Sequence, residues 1–348
     1  MQVGRPLSRR VAAIAGMQAA LTLLIAVSLI YVSPWSHLVA FPALGALASL
    51  FGRYESLSRR RRIVFVCAVL MTASVLLPSL VSYAGATSVH MVLLLAVFAG
   101  LLTIAVSRWG LGGPGPVMFV FAVGAVLGPV DSWGVIVERT VATVFGGAVA
   151  WVVCALTDVL RAEQARASGA PPARRPPLRS QLIAASRIVV GAALAGLITY
   201  AAGWQHPSWA VIGATAVMQG GHLHITMNRA LQRMAGTVVG SLLVWAILIT
   251  DPPFWQILAF IVVFQFVTEV LIGYNYALGQ VTVTPMALLM THLASPIVVS
   301  AGVMPVERVF DTIVGAAIGI VLAVVFSSLD DRAYLAKHHR ERKKADRA

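Results

Sequence analysis

Lysine and acidic residues are both scarce in this chain. Lysine occurs only as Lys337, Lys343 and Lys344, and the 348 residues include 13 Asp and Glu in all. A phosphate loop of the form G-x-x-x-x-G-K-[ST] therefore cannot lie in the body of the chain, which argues against direct use of ATP. The carboxylates are scattered, without a nucleophile–base pair or a paired acid, so we expect no enzymatic activity and no catalytic residue.

Cysteine is nearly absent. The two cysteines, Cys67 and Cys154, both lie inside apolar segments. Two such residues cannot form a disulfide framework, and no Cys/His spacing typical of zinc sites accompanies them. We therefore expect neither a metal site nor a cofactor.

Charge of either sign is low, and apolar residues dominate. Charged residues make up 11% of the chain, hydrophobic residues 59%, and the mean hydropathy is +0.85. This balance lies outside that of soluble globular domains and predicts an integral membrane protein whose main partner is the lipid bilayer. The formal charge of +13 is spread in short runs between apolar stretches. We therefore interpret it as a topology signal, and expect no nucleic-acid partner.

The apolar runs predict an all-α polytopic membrane protein with about twelve transmembrane helices. Several runs approach the roughly 20 residues that a hydrocarbon core requires, whereas the second and eighth are short. The first is too long for the apolar region of a signal peptide. The runs are 11–31, 36–52, 63–83, 88–106, 114–130, 134–157, 182–202, 208–221, 234–250, 254–273, 281–300 and 306–328.

Basic residues alternate between successive loops. Three lie before the first run, five in 53–62, one at Arg108, five in 158–181, two at Arg229 and Arg233, and seven after residue 329, while the alternating loops carry none. The positive-inside rule then places all these segments, and both termini, in the cytoplasm.

The two halves of the chain share a pattern of residues. Six spans per half is an even number, so the halves should have the same orientation and form two parallel six-helix repeats. Pro34-Trp35 also aligns with Pro207-Ser208-Trp209 at an offset near 173. The pattern comprises Pro116, Glu138, Arg139, Thr143 and Gly146, which recur 169 residues later as Pro285, Glu307, Arg308, Thr312 and Gly315.

These signals divide the chain into four parts. Residues 1–157 form the first membrane repeat and residues 182–329 the second. Residues 158–181, rich in Arg, Pro and Ala, form a cytoplasmic linker that need not fold. Residues 330–348 form a basic tail suited to anionic lipid headgroups.

Basic side chains of the second repeat are candidate substrate-binding residues. On a helix, Arg229, Arg233, Thr237 and Gly240 share one face. This face has two interpretations: an anion-binding site at the cytoplasmic mouth, or a positive anchor followed by close packing through Gly236-x-x-x-Gly240.

Ionisable residues inside spans are costly and are candidate functional groups. Arg139 and Arg308 are candidates for substrate binding, although both lie near enough to span ends to snorkel. Arg308 also has Asp311 at i,i+3, which provides a partner on its own helix. Glu269 has no basic residue at i±3 or i±4 and is the candidate proton carrier; a structural carboxylate is the alternative.

Two further features bear on the location of the binding region. Short apolar segments at corresponding positions of two repeats mark the binding region of many transporters, which favours the second and eighth spans. Pro116 and Pro285 instead appear at first helical turns, where proline needs no functional explanation.

Residues 206–240 contain a Pro-Trp helix, a loop and the motif R-x-x-G-T-x-x-G, here Arg233, Gly236, Thr237 and Gly240. This arrangement resembles the fusaric acid resistance and aromatic acid exporter family of bacterial inner-membrane proteins. The resemblance implies export of small organic anions, in particular aromatic carboxylates. Without a phosphate loop, the energy would come from the proton gradient or from the substrate's own gradient. An anion channel and a non-transporting scaffold or accessory subunit are the alternatives. A second copy of the chain or a periplasmic adaptor is left open as a protein partner.

Overall fold

The computed structural model describes residues 9–161, 176–219, 223–294 and 304–326. These residues form helices and connecting loops, and no strand is found among them. The α-helices are α1 (Arg9–Tyr31), α2 (Ala40–Ala46), α3 (Leu57–Tyr83), α4 (Ser88–Trp109), α5 (Val117–Gly124), α6 (Trp133–Leu156), α7 (Leu178–Ala201), α8 (Pro207–Met218), α9 (Leu223–Leu248), α10 (Phe254–Leu271), α11 (Tyr276–Ala294) and α12 (Met304–Val325). The predicted basic tail and most of the predicted linker lie outside the described residues.

Local sequence explains several helix ends. The Ser132 hydroxyl accepts a hydrogen bond from the Val135 amide and caps α6, and Thr87 caps α4 in the same way. Pro207 occupies the first turn of α8, where a missing amide proton has no cost. Gly110 ends α4 with φ of 62°, a left-handed conformation that glycine adopts without a steric penalty.

Within the described ranges, eight helices are long and apolar enough to cross a membrane: α1, α3, α4, α6, α7, α9, α10 and α12. Helices α2 and α8 have 7 and 12 residues and α5 has 8. At 1.5 Å per residue, α2 is about 10 Å long, far below the ~30 Å hydrocarbon core. The chain is thus an all-helical, multi-pass membrane protein, but twelve full-length spans are not confirmed.

Two predicted segments differ from the structure. The fifth run, 114–130, contains only the short helix α5. The eleventh begins earlier than predicted, because α11 starts at Tyr276, so Pro285 lies inside this helix rather than in its first turn. The interpretation of Pro285 as a harmless first-turn proline is therefore wrong.

Contacts between helices recur in the two halves. Helix α2 packs against α6 as α8 packs against α12, and α3 packs against α6 as α9 packs against α12. Across the halves, α1 contacts α10 as α7 contacts α4. Each pair joins helices that occupy the same positions in the order of the two halves.

Residue contacts show the offset that relates the halves. His37 contacts Glu138, and His206 contacts Glu307, with both residues displaced by 169. The match of Pro34-Trp35 with Pro207-Ser208-Trp209 is therefore wrong. Trp35 precedes α2 and is 54% exposed, whereas Trp209 lies within α8 and is 5% exposed.

Glycines permit the closest helix crossings. A Cβ on Gly146 of α6 would lie 2.0 Å from the Pro42 carbonyl oxygen of α2. A Cβ on Gly315 of α12 would lie 2.3 Å from the Ala210 carbonyl oxygen of α8. The short helices α2 and α8 are thus held directly against the helices that carry Arg139 and Arg308.

Candidate functional site

Two cavities lie at opposite ends of the short helices. The first has a volume of about 760 Å³ and is lined by His37 and His206, which precede α2 and α8. We call it the His-side cavity. The second, of about 400 Å³, is lined by Arg53, Arg229 and Arg233, and we call it the Arg-side cavity. Both halves of the chain contribute to each cavity.

Six residues line both cavities. Five of them have apolar side chains, and the sixth is a glutamine. We call this set the shared layer: Leu47, Phe121, Ile212, Gln265, Met286 and Ala287. The two cavities therefore approach each other at a single level of the bundle.

Candidate cations from α9 and α12 meet in the Arg-side cavity. Arg233 is 4% exposed and donates a hydrogen bond from Nη1 to Oε1 of Gln280 at 3.1 Å. Its Nε has no hydrogen-bond partner in the described part of the chain. Arg229 lies with its guanidinium 6.0 Å from the ring centroid of Tyr276. Arg308 lines the same cavity. The structure thus brings three of the predicted substrate-binding arginines together.

Arg308 is neither paired on its own helix nor at the surface. It is 3% exposed, and its guanidinium carbon lies 5.1 Å from the ring centroid of Trp209 on α8. Within the described residues, Nε and Nη1 of Arg308 and both carboxylate oxygens of Asp311 lack hydrogen-bond partners. The expected contact with Asp311 and the snorkelling interpretation are therefore wrong for Arg308, because its side chain extends towards α8 and the cavity.

Glu269 has a partner that sequence spacing did not reveal. Arg53, in the loop between α2 and α3, forms an ion pair with its carboxylate and a 3.3 Å hydrogen bond to its backbone oxygen. Gly52, with φ of 69°, turns the chain just before Arg53. Burial lowers the pKa of Arg53, since desolvation disfavours its charged form, while Tyr54 acts in the opposite direction. Both residues line the Arg-side cavity.

Arg60 and Arg61 of the first half have polar and acidic partners within that half. Arg60 is 1% exposed and donates a hydrogen bond from Nη2 to Oε1 of Gln18 at 2.7 Å. Asp158 lies 3.6 Å from Nη1 of Arg60 and accepts a 2.7 Å hydrogen bond from Nε of Arg61. Arg60 is the counterpart of Arg229 at the offset of 169. The first half therefore provides its own counter-charge, away from both cavities.

The His-side cavity contains aromatic and charged side chains from both halves. His206 lies 2.8 Å from Glu307 and stacks on Trp209 with ring centroids 4.2 Å apart. In the first half, Arg139 lies 5.5 Å from the ring centroid of Phe41. Arg139 is half-buried, lines this cavity, and has one nitrogen, Nη1, without a partner among the described residues. Arg139 is thus separated from the other candidate arginines.

The R-x-x-G-T-x-x-G motif divides between packing and the cavity. A Cβ on Gly236 or Gly240 would lie 2.5 Å from Gln280 or 2.7 Å from Thr284 respectively, so the glycine packing interpretation is confirmed. Thr237 is 1% exposed and does not line either cavity. Arg233 is the motif residue that faces the Arg-side cavity.

The comparisons each cover part of the chain. Residues 194–322 match a family described as "Fusaric acid resistance protein-like". The chain is 34% identical over 143 residues to the "Uncharacterized membrane protein YvaC" of Bacillus subtilis (strain 168). This alignment covers 39% of the chain and 22% of that relative, so the chain spans far less than the relative's full length. No solved structure matches.

The family match includes Arg233, Gly236, Thr237 and Gly240 and ends within α12. It also contains Glu269 and Arg308, which line the Arg-side cavity. The resemblance seen in the sequence is confirmed over residues 194–322, which are similar to the fusaric acid resistance protein-like family.

Proposed function

We propose that this protein exports small organic anions, with aromatic carboxylates as the substrate class, and that Arg233 and Arg308 form its entry site. The observation that carries the proposal is their burial in the Arg-side cavity with unused hydrogen-bond donors. A buried guanidinium needs an anion or other acceptors to offset its desolvation.

The charge balance of the Arg-side cavity supports an anionic ligand. Its lining contains four arginines, Arg53, Arg229, Arg233 and Arg308, against two glutamates, Glu55 and Glu269. A carboxylate matches the planar fork of a guanidinium. The remaining lining is largely apolar, including Phe121, Met118 and Ile272 among others, which suits an aromatic or aliphatic body.

The orientation follows from the same charges. The Arg-rich segment 53–62 borders the Arg-side cavity, so the positive-inside rule assigns this cavity to the cytoplasmic side of the bacterial inner membrane. Both termini then lie in the cytoplasm. The repeated helix contacts support an architecture of two parallel six-helix repeats, in which the short helices complete the membrane domain rather than span it alone.

Two energy sources fit this arrangement. In the coupled form, Glu269 carries the proton, and its protonation releases Arg53 from the ion pair. In the conduit form, the inside-negative membrane potential alone favours export of a monoanion, by about 2.3 kcal/mol per 100 mV. Flux driven by an imposed pH difference at zero potential distinguishes the two. A scaffold function predicts no flux under either condition.

The test is anion efflux from proteoliposomes loaded with benzoate, 4-hydroxybenzoate or acetate. Arg233→Gln should raise the concentration for half-maximal flux about tenfold or more, since a hydrogen bond to a charged group is lost. Arg233→Lys should keep part of the function as a point charge. Arg62→Gln is the matched control, because Arg62 is exposed and does not line either cavity.

Two outcomes contradict the proposal. One is wild-type protein that moves none of these anions under a pH difference or a potential. The other is an equal rise in the concentration for half-maximal flux in Arg233→Gln and Arg62→Gln. Arg233 would then act only through its contribution to the net positive charge of the protein. Equal loss of protein abundance in Arg233→Gln and Arg233→Lys would favour an anchoring role.

A further inference from the structure

We propose that the shared layer is the permeation barrier of this protein, and that Gln265 is the side chain that conducts the anion across it. The inference deepens the proposed function and relies on it for the flux measurement. The cavities that meet at the layer have different chemistry: one contains Arg233 and Arg308, and the other contains Arg139 with Phe41.

The layer has the composition of a barrier. Leu47, Phe121, Ile212, Met286 and Ala287 offer no hydrogen bond to an ion. An anion that leaves a guanidinium and enters such a layer loses its partners, and unpaired charge in an apolar environment is strongly disfavoured. The shared layer therefore blocks an anion unless a polar side chain within it provides a hydrogen bond.

Gln265 supplies that polar contact. It is 2% exposed and makes no side-chain hydrogen bond to any other described residue. Gln265 lies at the walls of both cavities, so the two N–H donors of its amide can be offered to a ligand on either side.

The corresponding helix of the first half shows that packing does not require this amide. On α10, Gln265 and Glu269 are buried, and their counterparts on α4 at the offset of 169 are Ala96 and Gly100. The offset is supported here by contact: Gly16 of α1 approaches Glu269, and Ala185 of α7 approaches Gly100. A neutral amide binds an anion more weakly than a guanidinium, so the ion can also leave, as conduction requires.

The barrier is tested by thiol access in a Cys67→Ala, Cys154→Ala background. Met118 and Ala125 flank Phe121 on or beside α5, and line the Arg-side and His-side cavities respectively. Met118→Cys should react with an impermeant thiol reagent from the Arg side alone, and Ala125→Cys from the His side alone. Reaction of Met118→Cys from both sides in otherwise unchanged protein overturns the barrier.

Widening the layer should remove this sidedness. With Met286→Ala added, Met118→Cys should become reactive from the His side; continued protection contradicts the assignment of the layer. Ala195→Cys reports folding, because Ala195 is 0% exposed and lines neither cavity. It should stay unreactive in every variant. If it reacts in Met286→Ala, Phe121→Ala replaces that variant and the same prediction applies.

The role of Gln265 is tested by flux. Gln265→Leu should lower benzoate efflux at least tenfold and leave the thiol pattern unchanged, whereas Gln265→Asn should keep part of the flux. Gln256→Leu is the matched control, since Gln256 is an exposed residue of the same helix. Wild-type flux in Gln265→Leu overturns the role. If wild-type protein moves no anion, the proposed function and the role of Gln265 both fail, while one-sided thiol access still establishes the barrier.

Discussion

Replacing Gly146 or Gly315 by alanine should force apart the helix pairs that support the two cavities. Ordinary van der Waals contact begins near 3.4 Å, whereas the new Cβ would lie 2.0 Å from the Pro42 oxygen or 2.3 Å from the Ala210 oxygen. The pairs must therefore open by about 1.4 Å (3.4 minus 2.0) and 1.1 Å (3.4 minus 2.3). Overpacking of this kind destabilises by about 1–3 kcal/mol.

The assay is thermal unfolding in detergent, followed by intrinsic tryptophan fluorescence. Gly146→Ala and Gly315→Ala should both lower the unfolding temperature. Gly134→Ala on the same helix as Gly146 is the control, because the nearest atom to its Cβ is the Ser132 hydroxyl at 3.8 Å. Alanine there should be neutral or stabilise by up to about 1 kcal/mol. If Gly146→Ala unfolds at the same temperature as Gly134→Ala, the close crossing of α2 and α6 is wrong.

Two further predictions concern topology and coupling. In a Cys67→Ala, Cys154→Ala background, Ser56→Cys should be shielded from an impermeant thiol reagent in intact cells and Ala86→Cys should react; the reverse pattern would invert the proposed orientation. Glu269→Gln should retain benzoate exchange at equal pH on both sides and lose accumulation driven by a pH difference, because glutamine cannot exchange a proton. Accumulation by this variant would exclude Glu269 as the proton carrier.

The sequence predicted the order of the helices because hydrophobic runs and loop charges report directly on burial in lipid. It did not predict their lengths. Helix α5 spans only Val117–Gly124 of the apolar run 114–130, and hydropathy does not mark where a helix begins or ends within such a run. The position of Pro285 inside α11 was missed for the same reason: a helix can begin at Tyr276 in a stretch that is only moderately apolar.

The candidate arginines were identifiable because charge within a span is rare and costly. Their partners were not. The Arg53–Glu269 ion pair joins residues 216 apart in the chain, and Arg308 extends towards Trp209 rather than Asp311. Spacing rules for one helix describe contacts at i±3 and i±4, so they cannot report a partner from another helix.

Comparison of the two halves distinguishes the contacts that fix helix packing from the polar groups of the candidate site. The His206–Glu307 contact and the Gly315 crossing both have counterparts in the first half. Such shared contacts fix how the helices pack. The polar groups of the Arg-side cavity lack that symmetry: Arg60 is neutralised by Asp158, whereas its counterpart Arg229 lines the cavity without a carboxylate partner in the described part of the chain. An exact duplication would give each cation of this cavity a counterpart around it, whereas three of its four arginines, Arg229, Arg233 and Arg308, come from the second half.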